Sequence, residues 1–79
     1  MTAQTLGNLA PGARGTVSGF LSDNEFTQRL MQLGLLEGTV VEVLRLAPGG
    51  DPIEVDVMGY ALSLRRKEAE LVLVDTGVP

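Results

Sequence analysis

Residues 21–39, LSDNEFTQRLMQLGLLEGT, restrict the folding options of this chain more than any other stretch. They spell one punctuated helix that hands over to a strand. Ser22 and Glu25 have the S-x-x-E spacing of a capping box, in which each side chain satisfies a backbone N–H at the helix start. Leu21 before that cap and Phe26 after it have the spacing of a hydrophobic staple. Phe26, Leu30 and Leu33 recur at i, i+4 and i+7, one apolar stripe on a helix. Gly34 stands where helices end in a left-handed residue, a conformation that costs nothing sterically without a Cβ. Leu35 is placed to fold back onto Leu30, as in a Schellman ending. The pattern predicts a principal helix over residues 23–33, acting either as a plug for a β core or as a contact element.

The remainder reads as strand and turn. Residues 5–9 predict a single turn capped by Thr5, with Leu6 and Leu9 on one side. Pro11–Gly12 suits the centre of a type II turn, where proline sets φ and glycine accepts a positive φ. Residues 16–21 form the first strand; Val17 and Phe20 are out of period-2 phase, and a bulge at Gly19 would bring both to the core. Residues 39–46 (TVVEVLRL) form a β-branched strand, and 47–52 (APGGDP) a turn around Pro48–Gly49. Asp51 precedes proline and is expected to be extended. Ile53, Val55 and Val57 alternate with Glu54, Asp56 and Met58 as a half-buried strand. Gly59–Tyr60 suits a type II′ hairpin turn, after which Leu62 and Leu64 continue the return strand. Residues 65–69 (RRKEA) predict one 3₁₀ turn, 71–74 a last strand, and 75–79 a tail. Five short strands with tight turns point to a small barrel, since closure hides strand edges.

Composition narrows the function. A chain of 79 residues holds one core, and 44% hydrophobic residues suffice to build it from Leu and Val. The net charge of −4 opposes nucleic-acid binding, which needs a basic face against phosphates. No apolar run is long enough for a membrane helix, and the first residues lack the layout of a signal peptide. With no cysteine and no histidine, the chain lacks thiolate chemistry, the commonest transition-metal ligand and the usual general base. There is no phosphate-binding GxxxxGK[ST], and Gly12, Gly15 and Gly19 do not make a G-x-G-x-x-G. A non-enzyme is expected, with no catalytic or cofactor-binding residues.

Taken together and in order, RLMQLGLLEGTVVEV, APGGDPIEV and GYALSLRRKEAELVLV resemble the FeoA family, the small ferrous iron transport proteins A. The resemblance runs over nearly the whole stretch from Leu6 to Val74. It implies a mainly β fold: a five-stranded SH3-like barrel with an α-helix inserted between the first two strands and a 3₁₀ turn before the last. It implies a single domain over 1–79, with its core at 5–75 and a tail at 76–79. It also implies a cytoplasmic accessory of FeoB, the membrane ferrous-iron transporter with a GTP-binding domain, recruited by that partner to the inner face of the membrane. Similar domains occur in metal-dependent repressors of the diphtheria-toxin-repressor kind. The alternative is therefore a metal-responsive regulatory domain acting through self-association or another partner.

Candidate sites follow from side-chain chemistry. Asp51, Glu54 and Asp56 could hold a divalent ion weakly, as could Glu68 with Glu70. Without imidazole or thiolate, no tuned site for Fe²⁺ is expected. Arg65, Arg66 and Lys67 are consecutive on an otherwise acidic chain and read as a solvated turn or a docking patch; Arg29 on the helix is an equal candidate. Met31 lies off the apolar stripe, and Leu35–Leu36 crowd apolar side chains at the helix exit. Arg29, Met31, Leu35, Leu36, Arg65 and Arg66 are thus the expected partner-binding residues, because leftover apolar surface usually marks contacts. A reader of proline-rich peptides is disfavoured. Its groove would need aromatics, and of Phe20, Phe26 and Tyr60 at least two are expected in the core.

Overall fold

Ile53, Val55 and Val57 are fully buried while Glu54 and Asp56 between them are half-exposed, and this alternation separates the inside of the sheet from its outside. The computed structural model describes residues 3–76. Six antiparallel strands form one curled sheet: β1 (Ala3–Thr5), β2 (Arg14–Phe20), β3 (Val40–Leu46), β4 (Ile53–Val57), β5 (Tyr60–Leu64) and β6 (Val72–Asp75). Their order is β1-β6-β2-β3-β4-β5. Helix α1 (Glu25–Gln32) is inserted between β2 and β3, and a short helix α2 (Arg66–Ala69) precedes β6. The mainly β, SH3-like architecture is as expected. The short β1 raises the strand count from five to six, and the ladder does not close into a barrel, because β1 and β5 stand at its two ends. Of the expected tail, residues 77–79 lie outside the described residues.

The core gathers Leu6, Leu9, Val17, Leu30, Leu35, Val41, Val43, Leu64, Val72 and Val74 around the β4 valines. A register shift between Val17 and Gly19 against β6 inserts one extra residue, so that Val17 is buried and Phe20 still packs against the core. A second shift, between Val43 and Arg45, bends β3 over β4. At Gly15 a Cβ would lie 2.9 Å from the Val74 Cβ, so glycine there permits the close approach of β2 and β6.

Both Pro-Gly turns form, with Gly12 at φ 89° and Gly49 at φ 83°. They are closed by Ala13 N–H to Ala10 O at 3.0 Å and Gly50 N–H to Ala47 O at 2.7 Å. The β4–β5 turn differs from the expected type II′ turn at Gly59–Tyr60. Val57 pairs with Tyr60, so the turn centres on Met58 (φ 52°) and Gly59 (φ 95°), the type I′ signature.

The start of α1 also departs from expectation. Leu21 N–H still bonds Leu71 O at 2.9 Å, prolonging the β2–β6 ladder, and the chain turns away from the sheet only beyond it. The N-cap is therefore Asn24, whose side chain accepts from Phe26 N–H (3.0 Å) and Thr27 N–H (3.1 Å). The Thr27 hydroxyl reciprocates by accepting from Asn24 N–H at 3.0 Å. The Ser22–Glu25 box and the Leu21–Phe26 staple do not form, and Leu21 and Phe26 are exposed. The face that α1 buries carries Thr27 and Leu30, with Leu33 half-buried. The 65–69 turn is α-helical rather than 3₁₀, with Ala69 N–H to Arg65 O at 3.1 Å and Glu70 N–H to Arg66 O at 2.9 Å.

Candidate functional site

The α1 exit folds as its sequence prescribes. Gly34 takes φ 107°, its N–H bonds Met31 O, and Leu35 N–H reaches back to Leu30 O, both at 3.0 Å. These are the two bonds of a Schellman motif. The motif drives Leu35 inward to full burial beside Leu30, so Leu35 is a core residue and not a contact residue. Leu36, one position on, remains 51% exposed, and Met31 is half-buried. The same exit meets the β4–β5 hairpin. The Tyr60 hydroxyl donates to Leu33 O, and a Cβ at Gly34 would lie 3.7 Å from the Met58 Cε. Met58 is 71% exposed at the hairpin tip, and Tyr60 is exposed beside it. Sequence reasoning overlooked both. The available signal was a methionine in a turn position that asparagine normally fills. Of the three aromatics only Phe20 packs against the core.

The basic run opens α2, with Arg65 and Lys67 exposed as a solvated turn would have them and Arg66 half-buried. Its three residues diverge. Arg66 points inward: its N–H bonds Asp51 Oδ1 at 3.1 Å, and its guanidinium reaches Gly7 O at 3.2 Å and Gly50 O at 3.4 Å. It ties the turn after β1 and the β3–β4 turn to α2 and is engaged in the fold. Lys67 Nζ lies 5.5 Å from the Phe26 ring centroid, a cation–π contact that brings α2 against α1. Arg65 presents its side chain to solvent.

Glu68 is the hidden element here. Its residue is 3% exposed; Oε1 accepts from Arg65 N–H at 2.9 Å and Oε2 from Arg29 Nη1 at 2.7 Å. A buried carboxylate demands such partners, so Glu68 is a structural residue, and Arg29 is its counterion as well as a surface group.

The remaining carboxylates do not converge. Asp51 is held by the Arg66 backbone, Glu54 pairs with Arg45 at 2.6 Å, and Asp56 lies opposite Glu42 and Ala61. The hydrogen bond and then the charge of Glu54 raise the Arg45 pKa above its ordinary value. Among the described residues no group of three or more acidic side chains could hold a metal ion. A depression of about 190 Å³ lined by Arg45, Ala47, Pro52, Glu54 and Ser63 is smaller than the ~300–1,000 Å³ usual for small-molecule sites. No helix among the described residues is long and apolar enough to cross a membrane.

The α1 exit and the hairpin tip together expose Leu36, Met58 and Tyr60 beside the half-buried Met31, flanked by Arg29. Comparison with known proteins gives this surface a context. A fusion protein of Fe(2+) transport protein A and the Fe(2+) transporter FeoB from Porphyromonas gingivalis is 34% identical over 50 residues. That match spans 63% of this chain but only 6% of the fusion protein. The NMR structure of a FeoA-like protein from Clostridium acetobutylicum superimposes with a TM-score of 0.90 at 31% identity, covering 100% of this chain and 93% of the other. The zinc complex of Stenotrophomonas maltophilia FeoA, described as an SH3 domain protein, gives a TM-score of 0.81 at 30% identity, covering 91% and 89%. The FeoA domain pattern itself matches residues 4–76, and the chain belongs to the FeoA domain family.

Proposed function

We propose that this chain is a non-enzymatic accessory of ferrous-iron uptake that docks, on the cytoplasmic side, against the GTP-binding part of a FeoB-type transporter. The observation that carries this reading is the fusion of a matching segment with FeoB in one polypeptide. Covalent linkage raises effective concentration without any new contact, and so favours modules that act together. Leu36, Met58 and Tyr60 supply apolar area to be desolvated, Met31 adds a half-buried edge, and Arg29 and Arg65 supply cations for an acidic rim. Arg66 is already committed to Gly7, Gly50 and Asp51 and serves the fold instead.

The test pairs stability with retention. Leu36→Asp and Met31→Asp each place a charge where docking must remove water, at a cost of about 2 kcal/mol or more without a partner. Exposed Leu36→Asp should change the stability of the free protein by no more than about 0.5 kcal/mol. Retention on the immobilised cytoplasmic part of the transporter should fall at least tenfold. A stable, fully retained Leu36→Asp variant would move the docking surface to Arg65.

The zinc bound by the Stenotrophomonas relative supports a second, metal-linked reading, in which ion occupancy or self-association controls a partner. This chain would offer an ion only carboxylate and carbonyl oxygens, a hard donor set poorly matched to Zn²⁺ or Fe²⁺. Calorimetry with each ion separates the two readings. A saturable submicromolar site would favour the metal-linked one.

A further inference from the structure

β5 is an end strand, paired with β4 alone. The two-residue turn places Val57 opposite Tyr60, and the register continues with Val55 opposite Leu62 and Ile53 opposite Leu64. Such a turn closes on a hydrogen-bonded pair and antiparallel ladders alternate, so Tyr60, Leu62 and Leu64 turn their N–H and C=O groups toward β4. Ala61 and Ser63 therefore turn theirs away from the sheet, and both residues are exposed. No turn or loop among the described residues takes these groups up.

Natural edge strands are guarded by lysine, proline, inward charges or bulges. β5 has none of these. YALSL carries no charge and no proline, and its register with β4 runs without the shifts seen in β2 and β3. We infer that this edge pairs antiparallel with β5 of a second copy of the chain, about a twofold axis through Leu62. The inference does not rest on the docking surface proposed above, although Tyr60 belongs to both.

Register and occupant follow from the strand itself. Centring the pair on Leu62 sets Ala61 opposite Ser63 of the second copy and Ser63 opposite its Ala61, two hydrogen-bonded pairs with two bonds each. Centring on Ala61 brings Ser63 against the Gly59 turn. Centring on Ser63 sets Ala61 opposite Arg65, whose N–H is already held by Glu68. Only the Leu62 register uses every outward group. It also opposes large to large and small to small: Tyr60 to Leu64, Leu62 to itself, Ala61 to Ser63. That self-complementarity is what a twofold interface requires. The acidic rows Glu54/Asp56 of the two copies would be three strand spacings apart, roughly 14 Å, beyond the Debye length of ~8 Å at physiological salt. Copies of net charge −4 can thus meet along this edge without like charges facing.

Sedimentation of the full chain from micromolar to millimolar concentration tests the pairing. The unaltered chain should dimerise, and Ala61→Lys/Ser63→Lys should weaken the dimer at least tenfold with unchanged melting temperature, since both positions are exposed. Leu62→Cys adds a positional check. Non-hydrogen-bonded antiparallel pairs sit with Cα atoms about 4.5 Å apart, within disulfide reach, and the chain has no other cysteine. That variant should cross-link to itself under mild oxidation, and Ser18→Cys on the β2 bulge should not. A chain that stays monomeric at the highest concentration, a dimer that survives the two lysines, or equal cross-linking at Ser18 would each overturn the proposal. So would hydrogen-exchange protection of Ala61 and Ser63 that appears only with the transporter's cytoplasmic part, which would assign the edge to a strand of that partner.

Discussion

The two helices invert the usual relation between length, polarity and depth. α1 has eight residues and a clear apolar pattern, yet it buries only Thr27 and Leu30, and its Phe26 is exposed. α2 has four residues, three of them charged, yet it buries Ala69 and the carboxylate of Glu68. One helix is anchored by a single leucine, the other by a single acid. The difference lies in what each anchor needs. Leu30 needs only to leave water, whereas Glu68 can leave water only because Arg65 N–H and Arg29 meet its two oxygens.

Three substitutions probe that contrast, all read by chemical denaturation. Leu30→Ala should have the largest effect, about 3 kcal/mol, as transfer and cavity terms add at a fully buried site. A loss below about 1 kcal/mol would mean that α1 is not held by its leucine. Glu68→Ala should cost about 2 kcal/mol by leaving Arg65 N–H without its acceptor. Arg29→Ala should cost less, because the Arg29 side chain is 57% exposed and Glu68 retains its other bond. Equal losses for the two would show that the ion pair, not the backbone cap, holds α2.

The cap comes next. Asn24→Ala should cost about 1 kcal/mol, while Ser22→Ala should stay within about 0.5 kcal/mol. The reverse order would restore the helix start read from the S-x-x-E spacing. The smallest effect is expected at the hairpin tip, where Met58→Asn should stabilise by roughly 0.5 kcal/mol by relieving a positive φ. If the same change also weakens retention by the transporter, the strained methionine belongs to the docking surface.

How far the candidate site could be read in advance differs between the two helices. The helix exit was legible because Gly34 and Leu35 encode a local motif closed by hydrogen bonds within six residues. What the motif did not announce is that it buries Leu35 and leaves Leu36 outside. The basic run misled because two of its residues have partners far away in sequence: Gly7 and Gly50 for Arg66, and Phe26 for Lys67. Met58 and Tyr60 were overlooked because the turn type that exposes them depends on which residue β4 pairs with across the hairpin.

By itself the sequence determined the periodicities: the β4 alternation, the Pro-Gly turns, the Schellman exit, the order of strands around an inserted helix, and the family. Each is set by neighbours within a few residues, where backbone geometry and side-chain spacing leave few choices. Only the tertiary structure decided where α1 begins, because Leu21 first completes a bond to Leu71, fifty residues away in the chain. It alone placed Glu68 inside, left the sheet open between β1 and β5, and bared the uncharged edge of β5. These depend on which distant groups come to share a low-dielectric interior, and no local spacing records that.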